Sequence, residues 1–172
     1  MTTVSKELSY VTFNTGMGWI GILGSTAGLV AATLPQNSSQ QALERLGDRA
    51  NHATPSPGSF TDLVRRLRIY FAGHETTFPD RLDLSAGTLF QREVWETTRL
   101  IPYRETRSYA WIASHIGRPG AARAVGQALG RNPLAIIVPC HRVIAGNGNL
   151  GGFGGGLDMK KALLRLEATG TT

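Results

Sequence analysis

No charged side chain lies between Glu7 and Glu44. An uncharged stretch of that length must either cross a membrane or break into short elements that cover one another. Its apolar-leaning part, residues 19–34, is shorter than the roughly 20 residues a spanning helix needs. Gly21, Gly24, Ser25, Thr26 and Gly28 interrupt it further. A polar stretch separates Lys6 from the apolar run, which does not fit a secretory leader. Short strands fit better. Tyr10–Asn14, Trp19–Leu23 and Gly28–Thr33 are rich in β-branched or aromatic residues and are divided by glycine turns, so they predict an antiparallel meander. The expected protein is soluble and cytoplasmic.

Further along, Gln40–Arg49 reads as a short helix and residues 51–58, with Pro55 and Pro57, as a loop. Ser59 or Thr61 is placed to cap a helix running to Phe71, with Leu63, Leu67, Tyr70 and Phe71 on its apolar face. Residues 73–84 then join two halves of different character, and the boundary falls at about residue 85. Residues 1–84 carry 7 basic and 7 acidic side chains, whereas residues 85–172 carry 11 and 5 and so hold the whole net charge of +6. A neutral half joined to a basic half suggests a scaffold bearing a surface for a polyanion; a plain solubility charge is the other reading.

The basic half is helical in pattern. Thr88 is placed to cap a helix with apolar Phe90, Val94, Trp95 and Leu100, which Pro102 ends. Ser108 begins a second helix with Ile112 and Ile116 on one face. Gly117-Arg118-Pro119-Gly120 turns the chain into a third, Ala121–Leu129. Helix, tight turn, helix is the pattern of a helix-turn-helix, although many helical hairpins bind nothing. Ala135-Ile136-Ile137-Val138 reads as a buried strand or extended segment. A glycine-dense stretch, Gly146–Gly156, precedes a closing helix, Leu157–Ala168, with apolar Leu157, Leu163, Leu164 and Leu166.

Cys140 is the only cysteine of the chain, so neither an intramolecular disulfide nor a cysteine-rich zinc site can form. It follows the apolar segment and Pro139, and His141 and Arg142 come next. A thiol becomes nucleophilic where a cation or histidine stabilises its thiolate. A small buried hydrophobe is the alternative reading. Gly146-x-Gly148-x-x-Gly151 matches the dinucleotide fingerprint in form only, because the helix it should open starts too late. His52, His74 and His115 stand in ordinary surface or core contexts.

Pro139-Cys140-His141-Arg142-Val143, with Asn132-Pro133 upstream, resembles the active-site signature of the O6-alkylguanine-DNA alkyltransferases. Ala121-Ala122-Arg123-Ala124-Val125-Gly126 resembles that family's recognition helix, and Ser108-Tyr109 its tyrosine position. Gly155-Gly156-Leu157 through Lys160 and Glu167 is similar to its closing segment. The match covers about residues 85–168. The resemblance implies a ribonuclease H-like α/β N-terminal domain, a small antiparallel sheet plus helices, over residues 1–84. A mostly α, winged-helix-like DNA-binding domain with a helix-turn-helix would occupy residues 85–172.

The implied activity is direct-reversal repair. An alkyl group passes irreversibly from O6-alkylguanine, with O4-alkylthymine a second candidate lesion, in a base flipped out of duplex DNA to Cys140. The protein acts once, needs no cofactor and no metal, and is expected to be a monomer that can assemble cooperatively on DNA. By the same resemblance His141 and Glu167 deprotonate Cys140 through a water, leaving an ionised sulfur at the floor of a cleft, and Asn132 braces the preceding turn. Tyr109, Val143, Phe153, Gly154 and Lys160 are the expected substrate-binding residues. Ser108, Ala121, Ala122, Arg123 and Gly126 would meet the minor groove, with Arg123 filling the vacated stack. Phe153 and Gly154 stand where some relatives carry Tyr and Ser, a departure that bears on the alkyl size the pocket takes. The rivals are an alkyltransferase-like lesion-binding protein, whose members lack the nucleophile that Cys140 supplies here, and a cysteine hydrolase, for which no other histidine lies in a supporting motif.

Overall fold

The structure is a computed structural model and describes residues 6–170. The chain divides into two compact units: Met1–Ala72 with Thr76–Leu84, and Gly73–Glu75 with Ser85–Thr172.

In the first unit the glycine-divided runs pair as expected. Strands β1 (Leu8–Thr15), β2 (Gly18–Ser25) and β3 (Gly28–Ala32) form an antiparallel meander, with Val11 opposite Ile22 and Ile22 opposite Ala32. The sheet is nevertheless mixed, not antiparallel. Residues 51–58, expected as a loop, contain a short strand β4 (Thr54–Pro55) that pairs parallel to β1 and closes the order β3-β2-β1-β4. Helix α1 (Ser39–Arg45) and a 3-10 turn, Asp48–His52, lie between β3 and β4, enough chain to return in the direction of β1. Pro55 has no N–H to offer, and it sits at the sheet edge, where prolines are tolerated.

Helix α1 is shorter than the sequence pattern suggested. It stops at Arg45 because Gly47 turns to φ 86°, and Asp48 starts the 3-10 turn. Helix α2 (Thr61–Phe71) buries Leu63, Leu67, Tyr70 and Phe71 as the spacing required. Neither Ser59 nor Thr61 caps it: the N-cap position is Phe60, and no side chain accepts there. On the sheet side Leu23, Val30, Leu46 and Ala50 form one apolar cluster.

The second unit is built from four helices. Thr88 caps α3 (Leu89–Thr98) with a full capping box, its hydroxyl accepting from Gln91 N while Gln91 accepts from Thr88 N. Val94 and Trp95 are buried, but Leu100 lies past the helix end and is 58% exposed. Trp95 Nε1 donates to Ala128 O at 2.8 Å and ties α3 to α5 (Ala122–Gly130). Ser108 caps α4 (Tyr109–His115) through Trp111 N at 3.0 Å. Two-residue strands β5 (Arg107–Ser108) and β6 (Val143–Ile144) pair in parallel, which fixes the start of α4 beside the residues that follow Cys140.

Two expectations fail here. Ala135–Val138 is not a strand. Ile136 adopts φ 71°, and the segment bonds to itself, Ile137 N to Ala135 O at 2.8 Å and Val138 N to Leu134 O at 2.9 Å. Ile136, Ile137 and Val138 are buried, and an apolar run of that length resembles a strand by pattern alone. In α6 (Leu157–Thr169) the buried face is Lys160, Leu163 and Glu167, three residues at helical spacing, while Leu157 is 46% exposed. Among the described residues no helix is long and apolar enough to cross a membrane.

Candidate active site

Cys140 opens a 3-10 turn, Cys140–Arg142, directly behind the apolar turn at 134–138. Asn132, in the link after α5, holds that junction from three sides. Its Oδ1 accepts from Leu134 N at 2.9 Å, and its Nδ2 donates to Val138 O at 2.9 Å and to Cys140 Sγ at 3.1 Å. The expected bracing role thus has a geometry, and it includes a direct bond to the sulfur.

Beneath the turn lies a buried charge network. His141 Nε2 and Glu167 Oε2 are 2.5 Å apart. Arg142 donates to the same carboxylate, Nε to Oε1 at 2.8 Å and Nη2 to Oε2 at 3.1 Å, and through Nη1 to Ile101 O at 2.8 Å. Arg104 adds its backbone N–H to Oε1 at 3.3 Å. Sequence reasoning offered Arg142 as a cation for the sulfur; the structure gives it to Glu167. Arg104 was missed, since nothing in its local pattern marks it.

Lys160 is fully buried and does not line the pocket. Its ammonium donates to Val143 O at 2.6 Å, to Gly152 O at 3.1 Å and to Leu150 O, and lies 5.9 Å from the centre of the Tyr109 ring. It therefore binds the glycine-rich loop to β6. The same loop touches α4: Gly151 has φ 69°, and a Cβ there would sit 2.5 Å from Tyr109 Oη.

A cavity of about 610 Å³ opens over the sulfur, a size ordinary for a small-molecule site. Cys140, Tyr109, Phe153 and Gly154 line it, together with Ala122, Arg123 and Gly126 of α5. Gln127, Leu129, Gly130 and Gly152 also contribute and were not foreseen. Of the remaining expected residues, Val143 is buried in β6, Ser108 is spent on its cap, and Ala121 is the N-cap position of α5. Among the described residues no group of three or more His, Cys, Asp or Glu side chains is placed to hold a metal ion.

Burial pushes the Cys140 thiol up, against the Asn132 N–H and the Lys160 charge, which favour the anion. Burial also pushes His141 down, against its bond to Glu167. Glu167 would itself be raised by burial, but His141 and Arg142 outweigh that and hold it at about 2. Burial brings Lys160 down to about 8 and raises the Tyr109 phenol. Burial thus favours the neutral thiol and the neutral imidazole, and Glu167 faces them as a carboxylate. Low dielectric works against the thiolate that the resemblance implies, and the Asn132 N–H and the Lys160 charge work for it.

The fold and site define a class: a helical-hairpin unit with one thiol on the wall of a pocket, backed by a histidine–carboxylate pair. Residues 89–169 match the family described as "6-O-methylguanine DNA methyltransferase, DNA binding domain". The chain is 60% identical over 116 residues to the "Methylated-DNA--protein-cysteine methyltransferase" of Mycobacterium bovis, covering 67% of this chain and 70% of that protein. A protein of the same name from Methanosarcina acetivorans is 53% identical over 110 residues, 64% of this chain and 70% of its own length. The crystal structure of Mycobacterium tuberculosis OGT in complex with DNA superposes with a TM-score of 0.79 at 46% identity, covering 94% of this chain and 93% of that one. The chain belongs to the methylated-DNA–protein-cysteine methyltransferase family.

Proposed function

We propose that this chain is a single-use DNA-repair alkyltransferase that binds duplex DNA, everts an O6-alkylated guanine and takes its alkyl group onto Cys140. The observation that carries the assignment to this residue is the Cys140 sulfur, lodged on the wall of a cavity of about 610 Å³, with His141, next in the same 3-10 turn, bonded to Glu167.

As substrate enters, the thiol proton passes through a water to His141. Nε2 is engaged with Glu167, so Nδ1 receives it, and Glu167 stabilises the imidazolium. Sγ then forms a bond to the alkyl carbon while the carbon–O6 bond breaks and its electron pair stays on the guanine. The Tyr109 hydroxyl, whose ionisation burial disfavours further, donates toward the guanine ring nitrogen and offsets that charge. The product is S-alkylcysteine, and no group restores the thiol. Asn132 steadies the sulfur, and backbone groups near Val143 and Gly154 meet the guanine edge beside the Phe153 ring.

Everting the base costs a few kcal/mol of stacking and pairing. Small residues, Ala121, Ala122 and Gly126, let α5 approach the minor groove, and Arg123 at its start fills the gap. Lys160 serves the site by shaping the loop rather than by touching substrate. We read the first unit as a ribonuclease H-like support domain and the second as a winged-helix-like DNA-binding domain; the mixed four-stranded sheet and the α3–α5 cluster support this.

Incubation with duplex DNA carrying O6-methylguanine, followed by digestion and mass analysis, tests the assignment. The Cys140 peptide should gain the mass of one CH2. Cys140→Ser should still bind the DNA and acquire nothing. Binding without any mass gain on the unaltered chain would make the protein a lesion-recognition module, and transfer by the serine variant would move the nucleophile elsewhere.

A further inference from the structure

Glu167 is 1% exposed, and its one carboxylate serves both an imidazole and a guanidinium. His141 takes Oε2, and the Arg142 guanidinium spans both oxygens while its third nitrogen is fixed on Ile101 O. The guanidinium also lies 5.7 Å from the centre of the Tyr103 ring. A fork held at each nitrogen is a fixed charge with one orientation.

The consequence follows from charge counting in a dry site. A carboxylate facing an imidazole alone would draw a second proton onto the ring, because imidazolium and carboxylate together are neutral. A ring already protonated cannot accept a proton from a thiol. A guanidinium on the same carboxylate removes that pull. The other groups acting on the pair are the Lys160 ammonium on the same helix, Arg104, with its N–H on Oε1 and its guanidinium on Glu167 O, and the Tyr103 phenol. Burial of the ring acts most strongly in this sense, and Arg142 and then Lys160 add to it.

We propose that Arg142 is a positioning residue: it occupies the Glu167 carboxylate so that the His141–Glu167 pair stands without its second proton until the Cys140 thiol delivers one. The inference rests on the alkyl-transfer reading above. The proton leaves Sγ and arrives on His141, and nothing else is consumed.

The test is an NMR titration of the 15N-labelled full chain, with His141 assigned by its loss in His141→Gln. In the unaltered protein the His141 ring should be neutral at neutral pH. Arg142→Gln should raise its titration by about one unit or more, the usual effect of a charge within hydrogen-bond reach. Arg142→Lys, which keeps the charge, should leave it near the unaltered position. The alkyl-transfer rate of Arg142→Gln should drop at neutral pH and recover as pH rises. A charged His141 ring in the unaltered protein overturns the proposal. So does an Arg142→Gln variant that loses rate equally at every pH with His141 unmoved. Should Arg142→Gln fail to fold, the ring state in the unaltered chain and in Arg142→Lys decides alone. The two readings fail separately: a chain that never alkylates Cys140 sinks the function, whether or not His141 responds to Arg142.

Discussion

Two buried charges on one face of α6 act in opposite senses on stability. Glu167 is held at about 2, against an ordinary 4.5. Its folded pKa is depressed, so it stabilises the fold above about pH 4.5 and loses that contribution as pH falls toward 2. The shift corresponds to about 3 kcal/mol. Lys160 is depressed from 10.5 to about 8, so its burial is a cost below pH 8 that is relieved as pH rises toward 10.5. Denaturant unfolding followed across pH should show a steep acid limb, and Glu167→Gln should flatten it; an acid limb of unchanged slope would locate the sensitivity elsewhere. Neither burial was legible in the sequence. A lysine and a glutamate on a helix ordinarily face water, and only the carbonyls of residues 143, 150 and 152 and the Arg142 fork, brought in from distant chain, make the inward positions tenable. Cys140, His141 and Asn132 stood out in the sequence through the resemblance of residues 139–143 and Asn132-Pro133 to the family signature, and the structure brings them together at one turn.

At the level of elements, Thr88 and Ser108 show what a sequence states directly. Each is a cap satisfied within three residues, so local pattern sufficed. The turn at 134–138 shows the opposite case. Its apolar residues match a strand, and its actual shape depends on Asn132 and on a positive φ at Ile136 that no local rule anticipates. The loop at residues 146–156 depends likewise on the Tyr109 ring. Gly151 combines φ 69° with a close approach to that ring, so Gly151→Ala should cost about 1–2 kcal/mol from backbone handedness alone, plus the clash. A thermal melt would register the loss. The alkyl-transfer rate should fall too, because Phe153 and Gly154 ride on the same loop. A variant as stable and as fast as the parent would show that the loop does not need this contact.

For the whole molecule, the split between a charge-balanced half and a basic half makes a quantitative statement about DNA. With +6 carried by residues 85–172, affinity for duplex DNA should fall linearly on a log–log plot against salt, by a slope of about 0.9 per phosphate contacted. Fluorescence anisotropy across a salt series checks this, and salt-indifferent binding would remove the electrostatic role of that half. The path of the chain between the halves also bears on how the protein can be dissected. It enters the second unit at Gly73, returns to the first at Thr76 and crosses again at Ser85. Gly170, just past the last helix, packs so tightly on that early excursion that a Cβ there would lie 2.6 Å from Gly73 O. A truncation starting at Ser85 would discard a three-residue shim from its own body, leaving the carboxy-terminal end of the helix that carries Glu167 without its backing.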